Sequence, residues 1–339
     1  MAKGVVGNVL KRYFIDAMSA MAMGLFASLI IGLIISQLSL IPGLGFLGRY
    51  TEVLSASSPV VGGAIGAAIA WGLKAKPLVI FSAVAAGAFG YSVGGPVGAY
   101  IGAVVGSEIA SLVAGKTKID IVIVPFLTIV AGGIASGLTG PYIQDFMLAI
   151  GSAINIATEM SPVPMGIIVA VIVGMCLTAP ISSAAICIML DLSGIAAGAA
   201  AVGCSAQMVG FAVMSFRENG FGGLISQGLG TSMLQFANIL RRPQIWIPTI
   251  LASAILGPIS TAVLHMTNTA VGAGMGTSGL VGQFGAFAAM APTTGNLLVL
   301  VEILLMHFIL PAVLVLAISL PMRKLGWIKP QDVTLQKVE

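Results

Sequence analysis

The sequence predicts an all-α, polytopic integral membrane protein with about ten transmembrane helices plus two re-entrant hairpins. Three observations predict it. First, of 339 residues 58% are hydrophobic and 8% charged, with a mean hydropathy of +1.08. Fifteen basic and eleven acidic side chains stand against about 85 charges in an average soluble chain of this length. That excludes a soluble enzyme, a disordered chain and a nucleic-acid-binding domain. Second, the basic residues cluster at the ends of apolar runs. Third, two long stretches are too polar for lipid and too apolar for water.

The basic clusters are Lys3/Lys11/Arg12, Lys74/Lys76, Lys116/Lys118, Arg217, Arg241/Arg242 and Arg323/Lys324. Positive residues in short loops favour the cytoplasmic side, and one path places all of them inside. Span one covers about 17–41. It is long and leads into more membrane sequence, so it reads as a first span and not as a cleaved leader. An external loop, 42–57, carries Arg49 and Glu52. Span two is 58–73. Spans three and four, 77–93 and 97–115, fold at Gly94-Gly95-Pro96. Span five, 119–140, ends at Gly140-Pro141. The segment 142–158 is either a sixth crossing or an interfacial helix. Spans seven to ten are 163–190, 194–215, 246–266 and 296–321. If 142–158 crosses, there are ten spans and both termini are cytoplasmic, in a multi-pass cell-membrane protein whose first partner is the lipid bilayer.

The two odd stretches are 220–238 (GFGGLISQGLGTSMLQFAN) and 268–295 (NTAVGAGMGTSGLVGQFGAFAAMAPTTG). Irregular backbone survives at membrane depth only where protein or a water-filled cavity surrounds it. Re-entrant hairpins are the reading, and discontinuous segments are where transporters bind solutes. Gly94, Gly98, Gly102 and Gly106 recur every fourth residue, as do Gly62 and Gly66, which points to close helix packing.

Charges within a bilayer cost at least about 2.5–3.5 kcal/mol near its centre, so each needs an explanation. Asp16, Asp120 and Glu218 lie near basic residues at span ends and read as interfacial. Glu108, Asp145, Glu159, Asp191 and Glu302 read as within the apolar regions, with His265 and His307. Glu302 and His307 stand about 140° apart on a helix, so a direct pair is not expected. Cys176, Cys187 and Cys204 lack metal-ligand spacing and read as buried small residues. No Walker loop, HExxH, GxSxG or CxxC occurs. No catalytic residue, metal site or cofactor follows from these motifs.

Four segments, in order, resemble the membrane subunit, enzyme IIC, of the sugar phosphotransferase system, closest to its fructose-type branch. They are Val60 to Ala114, KTKIDIVIVPFLTIVAGGIASGLTGPYI (116–143), TAPISSAAICIML (178–190) and GLISQGLGTSMLQFANILRRPQIWIPTILASAILGPIST (223–261). The third is similar to the family's GGPVNKAA motif and the fourth to its signature hairpin. Within the family the chain looks most like a divergent stand-alone set, itself similar to the perfringolysin O regulator.

The resemblance implies a homodimer that moves a small polar solute, a sugar or sugar-like molecule, by an elevator motion. Scaffold helices (1–118) would flank a substrate-binding region (119–295), followed by a last span and short tail (296–339). It implies a hairpin glutamate that holds sugar hydroxyls and is linked to phosphoryl transfer. Thr231 stands at that place. A hydroxyl can hydrogen-bond a sugar but is no general base, so phosphorylation coupling by this chain itself is not expected. Nor is there room in these residues for a phosphocysteine or phosphohistidine domain.

Gln227, Thr231, Ser232, Gln235, Asn238 and Asn268, with Ser182 and Ser183, are the expected solute-binding residues. A cytoplasmic phosphotransfer or regulatory protein is a possible partner. Two alternatives remain open: a membrane sensor or regulator that binds a ligand without bulk transport, and an ion-coupled carrier using Glu159, Asp191 or Glu302.

Overall fold

The computed structural model describes residues 12–335 except 40–42, 52, 56–57, 159 and 191. Among the described residues all regular structure is helical, apart from one isolated antiparallel bridge between Gly194 and Asn268. Six helices among the described residues are long and apolar enough to cross a membrane, and Pro59–Gly72 and Pro162–Thr178 are shorter apolar ones. The chain divides into two compact units, Met1–Phe146 and Met147–Glu339.

In the first unit, helical residues run from Met18 to Ser39, through π-type turns at Phe26–Ile30. Pro59–Gly72 starts at Ser58, whose hydroxyl accepts the Val60 N–H, with Pro59 in the first turn, an arrangement suited to an N-terminus. Pro77–Val113 is two arms folded at Gly94 and Gly95, as the sequence predicts. Gly95 has φ +58° and ψ −148°, a region open only to glycine.

Glycine lets these arms touch through backbone. A Cβ on Gly102 would lie 2.9 Å from the Ala86 carbonyl oxygen, and one on Gly66 would collide with the Ala83 backbone. The every-fourth glycines are therefore packing surfaces. At the foot of the arms Lys76 Nζ donates to the Ala114 carbonyl (2.8 Å). Arg12 pairs with Glu108 at 2.7 Å, so that acid carries a counter-charge.

One expectation is corrected here. Span five does not end at Gly140-Pro141, and residues 142–158 are not set off from it as a separate helix. They continue a single helix, Asp120–Thr158, through Pro141. Its 39 residues span about 58 Å, against a hydrocarbon core of about 30 Å.

The second unit is built around Gly194–Met214, which is buried on nearly every side. A helix can be enclosed all round only if neighbours come close. Its sequence, GIAAGAAAVGCSAQMVGFAVM, supplies small residues on every face. Pro162–Thr178, Ile247–Pro258 and Leu310–Lys324 surround it. Larger side chains, Phe211 and Met208, fill the remaining core. Arg323 clamps the end of the last helix: it donates to Glu218 at 2.6 and 3.1 Å and to the Met214 carbonyl at 2.6 Å. Span seven is also corrected. Instead of one helix over 163–190, Pro162–Thr178 stops at Ala179-Pro180 and a short helix, Ser183–Met189, follows. Proline removes a donor and disfavours helix in the residue before it.

Gly66→Leu is expected to lower the unfolding stability of the detergent-solubilised protein by about 1–3 kcal/mol through overpacking. Gly137→Leu, at a glycine with nothing within 4 Å of an added Cβ, is expected to leave it unchanged. Equal thermal midpoints for the two variants would refute the packing role.

Candidate functional site

Three helix breaks in the second unit meet around its central helix. The first lies in the stretch the sequence marks as a hairpin. Phe216–Ile225 bends at Gly220 (φ +61°) and runs into a π-type turn, Ser226–Gly230. Thr231 is extended (φ −157°, ψ 137°). Its hydroxyl accepts from the Met233 N–H at 3.1 Å and starts the 3₁₀ turn Ser232–Gln235, followed by Phe236–Arg241. The second break follows Asn268. Thr269 caps Ala270–Ala273, and the backbone passes through left-handed conformations at Gly276, Gly279 and Leu280 before Val281–Thr294. The third is the 179–182 gap. Both hairpin stretches are thus discontinuous, as their composition implies.

Side chains of one break satisfy backbone of another. Thr277 Oγ1 donates to the Gly228 carbonyl (2.5 Å) and Ser278 Oγ to the Gly230 carbonyl (2.8 Å). Thr178 and Ser232 hydroxyls bond at 2.8 Å. Ser183 Oγ donates to the Gly274 carbonyl at 2.7 Å. The 179–182 gap is therefore held by one hairpin through the residue before it and by the other through the residue after it.

The structure places the expected solute residues as follows. Gln227, Thr231, Ser232, Gln235, Asn238, Asn268 and Ser183 are all buried, and Ser182 is half-buried. Gln227 Nε2 donates to Ser215 Oγ and the Gly223 carbonyl, both at 2.9 Å. Gln235 Nε2 donates to Gln227 Oε1 (2.8 Å), and Asn238 Nδ2 to Gln235 Oε1 (2.7 Å). These amides form one ladder. Asn268 belongs elsewhere. Its Nδ2 donates to the Gly282 carbonyl at 2.9 Å, and its backbone bridges Gly194 at the start of the central helix.

Beside that bridge, Gly194 lines a cavity of about 400 Å³. Glu159 and Asp191 lie outside the described residues. Their neighbours Thr158, Met160, Leu190 and Leu192 line this cavity. Glu302 is buried and, among the described residues, its Oε2 has no partner. His307 Nδ1 meets Gln283 Nε2 at 2.9 Å, not Glu302. Among the described residues no three His, Cys, Asp or Glu side chains gather as metal ligands.

The family described as "Phosphotransferase system, EIIC" has a model that matches residues 15–335. The chain belongs to that family. No curated protein matches the chain. No solved structure matches it. As an EIIC protein it is a multi-pass membrane protein and a component of sugar transport.

In this EIIC chain the polar centre extends to residues that sequence reasoning passed over. Gln207, on the central helix, is fully buried. Its Oε1 accepts from Trp246 Nε1 (2.9 Å), Thr249 Oγ1 (2.8 Å) and Thr178 Oγ1 (3.2 Å). An indole N–H only donates, which fixes the amide orientation and leaves Nε2 without a partner among the described residues. Thr178 joins this node to Ser232, so the central helix and the signature hairpin share one network. The available signal was a lone amide among alanines and glycines in a buried span, which is costly unless satisfied.

Gln207→Met removes one acceptor from three donors. It is expected to destabilise the protein by about 1–3 kcal/mol. Ser260→Ala, at a buried hydroxyl without a partner among the described residues, is the control and is expected to be near neutral. Unfolding in detergent measures both, and a neutral Gln207→Met would show that the node is not a structural linchpin.

Proposed function

We propose that this EIIC chain carries a small polar solute, a sugar or sugar-like molecule, bound at the junction of the three breaks. Gln227, Thr231, Ser232 and Gln235 would bind from the first hairpin, helped by Asn238. Ser182 and Ser183 would contribute from the gap, whereas Asn268, bridged to Gly194 at the other end of the central helix, stands apart from the ladder. What supports this reading is the convergence of interrupted helices. Hydroxyl and amide groups are concentrated where irregular backbone lies inside an apolar bundle. Such groups recognise hydroxyls through paired donors and acceptors.

The motion in this reading is of elevator type, with a substrate region at 119–295 moving against scaffold helices at 1–118. The protein would work as a homodimer with both termini in the cytoplasm. There a phosphotransfer or regulatory protein would meet it. Transport is not phosphorylation-coupled by this chain alone, because Thr231 is neutral where the resemblance implies a carboxylate base.

A second reading, a ligand-binding sensor or regulator, is favoured by one observation. Each of the three hairpin amides is engaged by protein groups, so the described arrangement is closed to solute.

Uptake of labelled sugars into proteoliposomes tests the proposal. Saturable uptake without phosphoryl donors is expected. Thr231→Val and Ser183→Ala are expected to lower it about tenfold each, the worth of one hydrogen bond. Binding of a sugar without uptake would establish the sensor reading instead. Phosphorylated product in the presence of a complete phosphotransfer cascade would overturn the uncoupled mechanism. Dependence of uptake on pH or sodium, abolished by Glu302→Gln, would assign ion coupling.

A further inference from the structure

From Leu325 to Leu335 the chain stays against the protein. It turns at Gly326 (φ +76°), and Trp327 N–H returns to the Met322 carbonyl at 2.9 Å. Ile328 and Val333 are buried and belong to the same hydrophobic core as Met214, Ile239 and Ile245. Between them the Asp332 carboxylate folds back to accept the Lys329 N–H at 2.9 Å and lies 3.7 Å from Arg242 Nε.

The segment then runs along the amide ladder of the first hairpin. The Val333 carbonyl accepts from Asn219 Nδ2 and from Gln235 Nε2, both at 2.9 Å. The Thr334 carbonyl accepts from Asn238 Nδ2 at 3.0 Å. The Leu335 N–H donates to Asn219 Oδ1 at 2.8 Å. Three side-chain amides thus read two successive carbonyls and one N–H. This is recognition of extended peptide backbone, and Val333 supplies the apolar anchor.

We propose that the amide face formed by Asn219, Gln235 and Asn238 is a peptide-binding site whose occupant is the chain's own segment 326–335, and that this segment gates the solute site. The inference rests on the solute reading above, because Gln235 and Asn238 belong to both. A side-chain amide nitrogen has two hydrogens. Gln235 Nε2 spends one on Gln227 and the other on Val333, and Asn238 Nδ2 divides between Gln235 and Thr334. Neither retains a donor for a sugar hydroxyl while the segment is docked. Docking and solute binding therefore compete. A solute with hydroxyl acceptors stabilises the undocked state, and docking weakens solute binding by the same factor.

Asn219 permits a selective test, since it makes two of the four bonds and is outside the proposed solute set. In full-length protein, Asn219→Ala and, separately, Val333→Ala are expected to speed hydrogen exchange in 326–335 about tenfold. Both variants are expected to raise sugar uptake into proteoliposomes severalfold. A synthetic peptide of sequence GWIKPQDVTL, added to the Val333→Ala protein, is expected to return uptake to the native level.

Faster exchange with unchanged uptake, in a native protein that does transport, overturns the gate. Unchanged exchange in both variants overturns the docking site itself. If no variant takes up any sugar, the carrier reading fails. The peptide site then stands or falls on binding of the labelled peptide to the Val333→Ala protein. Capture that is lost in the Asn219→Ala/Val333→Ala double variant supports it, and no capture refutes it.

Discussion

The constraint on which this structure depends is that broken helices inside an apolar bundle must find hydrogen-bond partners for the backbone they expose. An unpaired peptide group away from water costs several kcal/mol in hydrocarbon. Here the partners come from hydroxyls of neighbouring breaks. Thr277 and Ser278 close the carbonyls of Gly228 and Gly230, and Ser183 closes Gly274. Each break is finished by another, so none of the three is an independent module. The hydroxyl-rich composition of these stretches follows from that need before any ligand is considered.

The central helix makes the meeting possible. Its alanines and glycines let Pro162–Thr178 and Ile247–Pro258 approach to backbone contact. A Cβ on Gly174 would stand 2.8 Å from the Gly203 carbonyl oxygen. At such separations no large side chain can mediate between helices, and dispersion with interhelical hydrogen bonds must hold them. Gln207 is the one long polar side chain on this helix. Placed where three donors converge, it ties helix packing to the conformation of Ser232 on the hairpin. The Arg323–Glu218 pair does the corresponding work at the end of the bundle. It is bidentate, nearly enclosed, and also satisfies the Met214 carbonyl that the helix leaves open.

The sequence made the class and the breaks legible where glycine and polarity coincide. Gly94-Gly95, the 220–238 stretch and the 268–295 stretch all interrupt where composition says they must. It misled where one signal stood alone. Gly140-Pro141 suggested a terminus, yet the helix continues, because a helix proline is tolerated when neighbours absorb the kink. The 163–190 run looked continuous because hydropathy does not register that Pro180 has no N–H to donate and holds Ala179 in an extended conformation (ψ 163°). The role of Asn219 was illegible for another reason. Its partners are backbone atoms of residues 333 and 335, more than a hundred positions away, and a backbone acceptor leaves no trace in residue type. Gln235 and Asn238 stand out by their polarity, but polarity does not say what they bind.

That last point bears on how such a site can work. Within the protein each neutral hydrogen bond contributes only about 0.5–1.5 kcal/mol net. Exchanging a Val333 or Thr334 carbonyl for a sugar hydroxyl therefore changes the balance little. What resists opening is the burial of Ile328 and Val333, worth about 1.5–3 kcal/mol apiece. The two parts of the segment thus have different duties. The apolar side chains set how firmly it is held, whereas the carbonyls determine which groups are occupied while it is held. A site built this way can be closed without strain and opened without leaving a buried donor unpaired, provided that a ligand rich in hydroxyls, or water, enters as the segment leaves.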